Sequence, residues 1–338
     1  MMRTAFRSLA ALALTLSVTL TLAGTLAGPA MAEPFRIIVP EPETPLVPNS
    51  VIDLAERLGY YKREGVEVEL VRVKATPSAV AALRSGQGDM ANIGTDIALQ
   101  LIARGQMDLK GVISPEKSLP YLIAAKKSVT APKQLEGAAF GVGQIGSVDY
   151  VQTRLVLAKL GVDNDKLRYL ALGQPTVRAQ ALLAGQIDAT AMSIGTWLTL
   201  PNKDGLAVLI DQPSFYAAAP MITKLNVVTA DTLKNRRREV GGVVRAIIAA
   251  SRDFARDPNI WVEGMVAARP DIKRDQLEQL AVAYRGSWSV NGGLDPADLA
   301  FTTDALYKSD DFKDIPRRVA PGDWIDHSFI DSAPAANP

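Results

Sequence analysis

One short phrase occurs twice in this chain. Residues 82–95 read ALRSGQGDMANIGT and residues 181–196 read ALLAGQIDATAMSIGT, so both copies contain Ala-Leu, Gly-Gln-x-Asp and Ile-Gly-Thr in that order. In each copy an apolar helical segment leads into a Gly-Gln turn, and a short β-rich segment follows. Two unrelated helices ending in similar turns would give the same match by chance, but the flanking segments also agree. The repeat therefore predicts two structural units of similar build.

The segments around the two copies alternate between strand and helix patterns. The predicted order is strand 35–39, helix 51–58, strand 66–73, helix 77–85 and strand 90–93, then strand 135–143, helix 148–160, strand 167–172, helix 175–184 and strand 189–193. Such alternation predicts open α/β sheets, which bind ligands beyond the carboxyl ends of their strands. After residue 213 the pattern becomes helical, with a long amphipathic helix across residues 240–254.

The N-terminus has the pattern of a secretory signal peptide. Arg3 and Arg7 precede an uncharged run at residues 9–26, and Ala-Met-Ala at residues 30–32 fits a cleavage site. We expect residues 1–32 to be removed and the mature chain to begin at Glu33. The apolar run is long enough that an uncleaved membrane anchor is the alternative.

Composition excludes several classes of chemistry. The chain has no cysteine, so disulfides, cysteine-ligated zinc, iron–sulfur clusters and thiol nucleophiles are excluded. His327 is the only histidine, which argues against catalytic triads and histidine-rich metal sites. We therefore expect no catalytic residues, no metal site and no cofactor. Removing Arg3 and Arg7 changes the net charge from +1 to −1, and nothing resembles a nucleic-acid-binding surface.

A glycine-rich turn lies between a predicted strand and a predicted helix. Residues 141–146 read GVGQIG, which matches the dinucleotide-binding fingerprint, but residues 170–176 near the end of the next strand offer only Gln174 in place of the acidic residue that would hold a ribose. The N–H groups at 146–148 would still favour an anionic or polar group at the start of the helix. Asp149 in the first turn opposes an anion there.

Aromatic residues near predicted loop ends are candidates for ligand-facing walls, with core packing as the alternative. They are Tyr121, Trp197, Tyr216 and Trp288. The basic run at 234–239 is interpreted as the solvated start of the long helix, with a docking patch for a partner as the alternative.

Several segments carry a resemblance to a known family. Residues 58–70, LGYYKREGVEVEL, are similar to the opening helix-to-strand passage of ABC-transporter solute-binding proteins of the nitrate, sulfonate and taurine group. Residues 82–95, 135–147, 181–196 and the ending WIDHSFID at 324–331 resemble that group in the same order. The resemblance runs from about residue 35 to residue 333, which is nearly all of the mature chain.

The resemblance implies a two-lobed type II periplasmic-binding-protein fold of α/β class, with a ligand cleft between the lobes. Lobe 1 would comprise residues 33–121 and 222–338, and lobe 2 would comprise residues 122–221. The implied function is capture of a small polar or anionic solute (a sulfonate, nitrate, taurine or an aromatic acid) by hinge closure, and its delivery to an ABC transporter permease in the inner membrane. We expect a periplasmic monomer that is not an enzyme and does not bind nucleic acid.

Matching the family's pocket loops onto this chain gives the expected ligand contacts. They are Thr44, Asn49, Gly94, Thr95, Asp96, Ile145, Gly146, Ser147, Gln174, Pro175, Thr176, Ser193, Gly195, Thr196 and Trp197. The first of these loops departs from the family pattern because it is rich in proline. Ser147 at the helix start is the expected anchor, with Thr95 across the cleft. Arg178 would pair with a carboxylate or sulfonate, or point to solvent.

Two other functions stay open at this point. One is an enzyme on the same scaffold, such as a pyrimidine synthase or a dehydratase. The related synthases depend on histidine and cysteine chemistry, which this composition does not favour. The other is a sensory module that reports ligand occupancy to a membrane receptor. The sequence does not identify the ligand.

Overall fold

The computed structural model describes residues 33–117, 121–315 and 317–334, so the expected signal peptide lies outside the described residues. The strands are β1 Phe35–Val39, β2 Val68–Arg72, β3 Met90–Gly94, β4 Leu109–Ile113, β5 Tyr121–Lys126, β6 Ala139–Val142, β7 Arg168–Ala171, β8 Ala189–Ser193, β9 Leu206–Ile210 and β10 Lys224–Thr229. The helices are α1 Val51–Arg57, α2 Tyr60–Arg63, α3 Thr76–Arg84, α4 Thr95–Ala103, α5 Val148–Lys159, α6 Pro175–Leu183, α7 Ile194–Thr199, α8 Gln212–Ala218, α9 Ala230–Asn235, α10 Arg237–Arg256, α11 Pro258–Ala268, α12 Arg274–Ala283, α13 Pro296–Tyr307, α14 Pro321–Trp324 and α15 Ser328–Asp331. None of the helices in this described part is both long and apolar enough to cross a membrane.

The strands form two five-stranded sheets with the same design. The first sheet has the order β2-β1-β3-β10-β4 and the second has the order β7-β6-β8-β5-β9. In the first sheet β10 is antiparallel to both neighbours, and in the second sheet β5 is antiparallel to both neighbours. Each antiparallel strand is the first strand after the chain passes from one sheet to the other. The α/β class and the two similar units expected from the sequence are confirmed.

The twin phrases end their helices in the same way. Gly86 and Gly185 both have a φ of +72°, a left-handed conformation that glycine adopts without strain. After α3, the Gln87 N–H donates to the Ala82 carbonyl at 2.9 Å, and the equivalent bond after α6 also measures 2.9 Å. This is the Schellman arrangement, which satisfies carbonyls at a helix end.

The aspartates of the two phrases, Asp89 and Asp188, each form hydrogen bonds to the backbone of a neighbouring strand in their sheet. The Asp89 carboxylate accepts the Arg36 N–H at 2.8 Å, and the Asp188 carboxylate accepts the Ala139 N–H at 2.8 Å. The backbone N–H of each aspartate donates to the carbonyl of the same partner residue. The repeat therefore encodes one structural device that is used once in each sheet.

Helices after β10 cover the first sheet. α10 buries Val240, Val244 and Phe254 against β1 and α1, as its apolar periodicity predicts. Trp288 is 3% exposed and packs edge-on against Phe254 at 5.2 Å between ring centroids. Trp288 is therefore a core residue, and its interpretation as a ligand-facing wall is wrong.

The long helix starts later than the basic run predicts. α9 ends at Asn235 and α10 begins at Arg237. Between them Arg236 has a non-helical backbone, and its guanidinium pairs with Asp89 at 2.9 Å and with Glu239 at 3.1 Å. Thr229 caps α9 through its side chain, so this short helix is defined separately from α10.

Candidate functional site

A cleft of about 780 Å³ opens between loops of the two sheets. The first sheet contributes the proline-rich loop at 40–49 and the start of α3, and the second sheet contributes the turns that precede α5, α6 and α7. These loops follow the carboxyl ends of parallel strands, where α/β sheets place their ligands. The volume falls in the range typical of small-molecule sites.

About half of the residues predicted as ligand contacts line this cleft. They are Asn49, Ser147, Gln174, Pro175, Thr176, Arg178, Ser193 and Thr196. The structure places the others behind the cleft or beside it: Thr44, Gly94, Thr95, Asp96, Ile145, Gly146, Gly195 and Trp197. Tyr121, one of the aromatic candidates, also lines the cleft.

Several residues beside the cleft have structural contacts instead. The Thr44 hydroxyl donates to Asp53 at 2.9 Å, and Thr95 is fully buried, with its N–H bonded to the Thr223 carbonyl. A Cβ at Gly195 would overlap the carbonyl oxygen of Leu46, so the start of α7 packs directly on the proline-rich loop. The absence of a side chain at Gly195 therefore lets the two sides of the cleft touch.

Trp197 and Ile145 do not line the cleft. Lys203 lies over the Trp197 ring, with its Nζ 5.7 Å from the centroid. Ile145 is 46% exposed, which is unusual for a large apolar side chain in the described part of the molecule. Of these two aromatic candidates, Tyr121 lines the cleft and Trp197 does not.

The N-terminus of α5, the expected anion anchor, is surrounded by the protein's own carboxylates. Asp96 accepts the Val148 N–H at 3.3 Å, and Asp149 accepts the Gly143 N–H at 3.2 Å. Burial raises the pKa of Asp96 above its usual value, although its bonds to backbone N–H groups oppose that change. A Cβ at Gly146 would overlap the Asp311 carboxylate. Donors that would attract an external anion are therefore already used in part.

Arg178 reaches the cleft but is already paired. Its side chain is 2% exposed and its Nη1 lies 2.8 Å from the Asp149 carboxylate. Its Nε is buried and has no hydrogen-bond partner among the described residues. A buried guanidinium with a carboxylate partner has much less net charge to offer a ligand than a free one.

Sequence reasoning missed the charged residues contributed by the proline-rich loop, the chain crossings and the C-terminal helices. Lys224, which opens β10, pairs with Glu41 at 3.4 Å. Arg269, after α11, pairs with Glu43 at 3.3 Å and with Asp271 at 2.7 Å. These pairs leave the cleft close to electrically neutral. No motif marks the pairs that involve the proline-rich loop, because Lys224 and Arg269 lie far from Glu41 and Glu43 in the sequence.

Glu116 is the acidic residue most deeply enclosed in the cleft. It lies between β4 and β5, is 1% exposed, and lines the cavity. The pKa of its carboxyl is raised from 4.5 to about 7, chiefly by burial and in smaller part by the charge of Glu41, whereas Lys224 opposes the change. Glu116 thus titrates near neutral pH.

A smaller hollow of about 400 Å³ runs along the outer edge of β2. Its lining comes from that edge strand, Pro34 and Glu56, and it is open to solvent. The second sheet contributes no residue to this hollow, whereas both sheets contribute loops to the cleft. Across the described ranges, no group of three or more acidic or histidine side chains is arranged to hold a metal ion.

Comparison with known proteins identifies similar chains. Residues 50–260 match the family model described as NMT1/THI5 like. The 4-amino-5-hydroxymethyl-2-methylpyrimidine phosphate synthase of Schizosaccharomyces pombe is 22% identical over 218 residues, which cover 61% of this chain. That match spans only 62% of the synthase.

Solved structures show the same fold. The ligand-binding component of an ABC-type import system from Staphylococcus aureus has a TM-score of 0.71 at 16% identity and covers 89% of this chain and 98% of its own. The periplasmic aliphatic sulphonate-binding protein of Escherichia coli has a TM-score of 0.69 at 15% identity, with coverages of 86% and 91%. The periplasmic nitrate-binding protein of Synechocystis has a TM-score of 0.56 at 12% identity, with coverages of 72% and 68%. The expected periplasmic-binding-protein fold is confirmed.

Proposed function

Because this chain belongs to the NMT1/THI5-like family, we propose that it is a periplasmic solute-binding protein that delivers a small solute to an ABC transporter permease. One observation carries the proposal: a single cleft of small-molecule size is lined by strand-end loops of both sheets. The fold shared with ABC solute-binding proteins supports the same binding role.

The proposed mechanism is hinge closure of two lobes. We assign residues 33–121 and 222–338 to one lobe and 122–221 to the other, a division supported by the membership of the two sheets except at Tyr121, which opens β5 of the second sheet. The chain crosses between the sheets twice, after β4 and before β10, so a few residues there would absorb the rotation. Export would follow cleavage after residue 32, and the protein would act as a monomer.

The solute is proposed to be small and polar or anionic, of the sulfonate, nitrate, taurine or aromatic-acid class. Ser147, Gln174 and Thr176 would bind it from the second sheet, with Asn49 on the opposite side and Tyr121 as an apolar wall. Ser193 and Thr196 are joined by a hydroxyl–hydroxyl contact of 3.0 Å at the start of α7 and would complete the polar lining. A few such hydrogen bonds suffice for a Kd of about 1 μM.

A thermal-shift screen tests this function. The purified protein is heated with nitrate, alkyl and aryl sulfonates, taurine, aromatic carboxylates and pyrimidines. A solute at one hundred times its Kd should add about 2.7 kcal/mol to the free energy of unfolding. Small-angle scattering with the binding solute should show a smaller radius of gyration. A screen in which no class of solute raises the melting temperature would contradict the proposal.

A second candidate function is suggested by the synthase relative. On that reading the cleft would convert a bound pyrimidine precursor and not merely carry it. The two functions differ in what happens to the bound compound. For a carrier, the solute released from the protein after long incubation is chemically unchanged by mass spectrometry, whereas for a synthase new pyrimidine accumulates.

A further inference from the structure

The Glu116 carboxyl lies where the two chain crossings meet. Its Oε1 accepts a hydrogen bond from the Thr223 hydroxyl at 3.4 Å, and Thr223 directly precedes β10. Its Oε2 is buried and has no hydrogen-bond partner among the described residues. A buried acceptor left without a donor costs free energy, so its presence in a ligand-sized cleft calls for a functional explanation.

A second unpartnered acceptor, Asn49 Oδ1, lines the same cleft. Its amide orientation follows from a relay of three buried asparagines that ends on the sulfur of Met90. Because the sulfur only accepts, Asn226 must turn its NH₂ group toward it, at 3.3 Å. Asn226 Oδ1 then accepts from Asn92 at 2.8 Å, and Asn92 Oδ1 accepts from the Asn49 NH₂ at 3.1 Å.

The relay therefore fixes which atom Asn49 leaves without a partner. Reversing the three amides would set an oxygen against the Met90 sulfur and leave both without a hydrogen. The backbone N–H of Asn49 also faces the Glu116 carboxyl, which places these two residues side by side. The cleft lining thus includes two adjacent residues, Asn49 and Glu116, each of which has one buried side-chain oxygen without a hydrogen-bond partner among the described residues.

Nearby cations do not satisfy these acceptors. Lys224 attracts the Glu116 carboxylate, but its ammonium pairs with Glu41 at 3.4 Å. Arg178 is bound to Asp149 at 2.8 Å. When Glu116 is ionised, donors for Oε2 and Oδ1 must therefore come from outside the described protein atoms.

We propose that Glu116 and Asn49 accept hydrogen bonds from a nitrogen-borne N–H group of the solute, such as an ammonium or an amino group on a heterocycle. The proposal rests on the solute-binding function and narrows its substrate class. Nitrate and simple alkyl sulfonates bring no donor and would leave both acceptors unsatisfied. A solute with an N–H group at one end satisfies both, and its other end can meet the hydroxyls of Ser147 and Thr196.

Matched pairs of probes test the proposal by titration calorimetry. Taurine is compared with ethanesulfonate, and 4-aminopyrimidine with pyrimidine, so each pair differs by one amino group. The variant Glu116→Met keeps the length of the side chain and removes both carboxyl oxygens of Glu116. The variant Glu116→Gln keeps the shape of the side chain and removes its charge. Glu263→Met is the matched control, because Glu263 is exposed and pairs with Arg274 outside the cleft.

The expected result is that at least one amino-bearing probe binds about tenfold or more tightly than its partner. Glu116→Met should bring that ratio close to one, and the control should keep it. A merely structural role for Glu116 would weaken both members of a pair equally. Circular dichroism verifies the fold of each variant, and Glu116→Gln, which should lower the preference for taurine, provides the test if the methionine variant does not fold.

Four outcomes would overturn the proposal. Equal binding within both pairs, or a preference that survives in Glu116→Met, refutes the role of these acceptors. Binding confined to solutes without a donor, such as nitrate or ethanesulfonate, refutes the inference but leaves the solute-binding function standing. If neither these probes nor any compound of the wider solute screen binds, both this proposal and the solute-binding function are refuted.

Discussion

Replacing Glu116 by glutamine should stabilise the protein at alkaline pH and have little effect at acid pH. The folded protein holds the Glu116 proton more tightly than the unfolded chain does, because burial raises its pKa from 4.5 to about 7. Between these values the folded state binds more protons, so stability falls as the pH rises, and the loss is complete above pH 7. Glutamine has no proton to lose and escapes that cost.

The magnitude follows from the change in pKa. A rise from 4.5 to about 7 corresponds to about 3 kcal/mol of destabilisation once the carboxyl is ionised. At pH 8.5 the free energy of unfolding of the variant should therefore exceed that of the native protein by up to about 3 kcal/mol, which corresponds to about 5 °C in melting temperature for a chain of this size. At pH 5 the difference should fall below about 1 kcal/mol.

The groups that face the Glu116 carboxyl determine the size of the effect. Glu41 raises its pKa and Lys224 lowers it, while Tyr121 and Tyr284 are close enough for its charge to raise their own pKa values. Calorimetric melting of both proteins at pH 5 and pH 8.5 measures the difference, with Glu263→Gln as an exposed control. A difference that is the same at both pH values would refute the account of a buried, proton-holding carboxyl.

Three further perturbations test other parts of the structure. Ser147→Trp should abolish solute binding in calorimetry yet leave a folded protein, because the indole would occupy the cleft; unchanged affinity would place the site elsewhere. Asp89→Ala and Asp188→Ala should each lower the free energy of unfolding in urea by about 1 to 3 kcal/mol, because each removes a hydrogen bond between strands of a different sheet. The two losses should add in the double variant, and strong non-additivity would contradict independent roles. Arg178→Met should lower the free energy of unfolding by about 3 to 5 kcal/mol, because it leaves the Asp149 carboxylate without its cation. Adding Asp149→Asn should recover part of that loss. A double variant that is less stable than Arg178→Met would argue against the buried pair.

Much of the fold is determined by residues that are close together in the sequence, and this part was predictable. The twin phrases predicted two similar units, and they do belong to different sheets, one at α3 and β3 and the other at α6 and β8. Helix ends and strand starts were predictable because turn glycines and capping residues act within a few residues of themselves.

The charges of the cleft were not predictable, because they depend on packing between distant segments. Glu116 sits in a stretch without periodicity, and its burial is created by Thr223 and the proline-rich loop. The sequence could show that α5 begins near Ser147 with Asp149 in its first turn, but not that Asp96 and Asp311 from two distant parts of the chain would also lie there. The prediction that Trp288 faces a ligand was wrong for a related reason. An aromatic residue near a loop has the same local sequence pattern whether it faces a ligand or the core.

The passage of the chain between the sheets has a consequence for the order in which the protein is assembled. β4 lies at the edge of the first sheet and its partner strand is β10, so residues 109–113 have no strand to pair with until residues 224–229 are available. The second sheet is built entirely from residues 121–210. As the chain is synthesised from its N-terminus, the half that begins first is therefore the half that finishes last. Its closing step joins segments more than a hundred residues apart, the kind of long-range pairing that slows folding and leaves an edge strand exposed in the meantime.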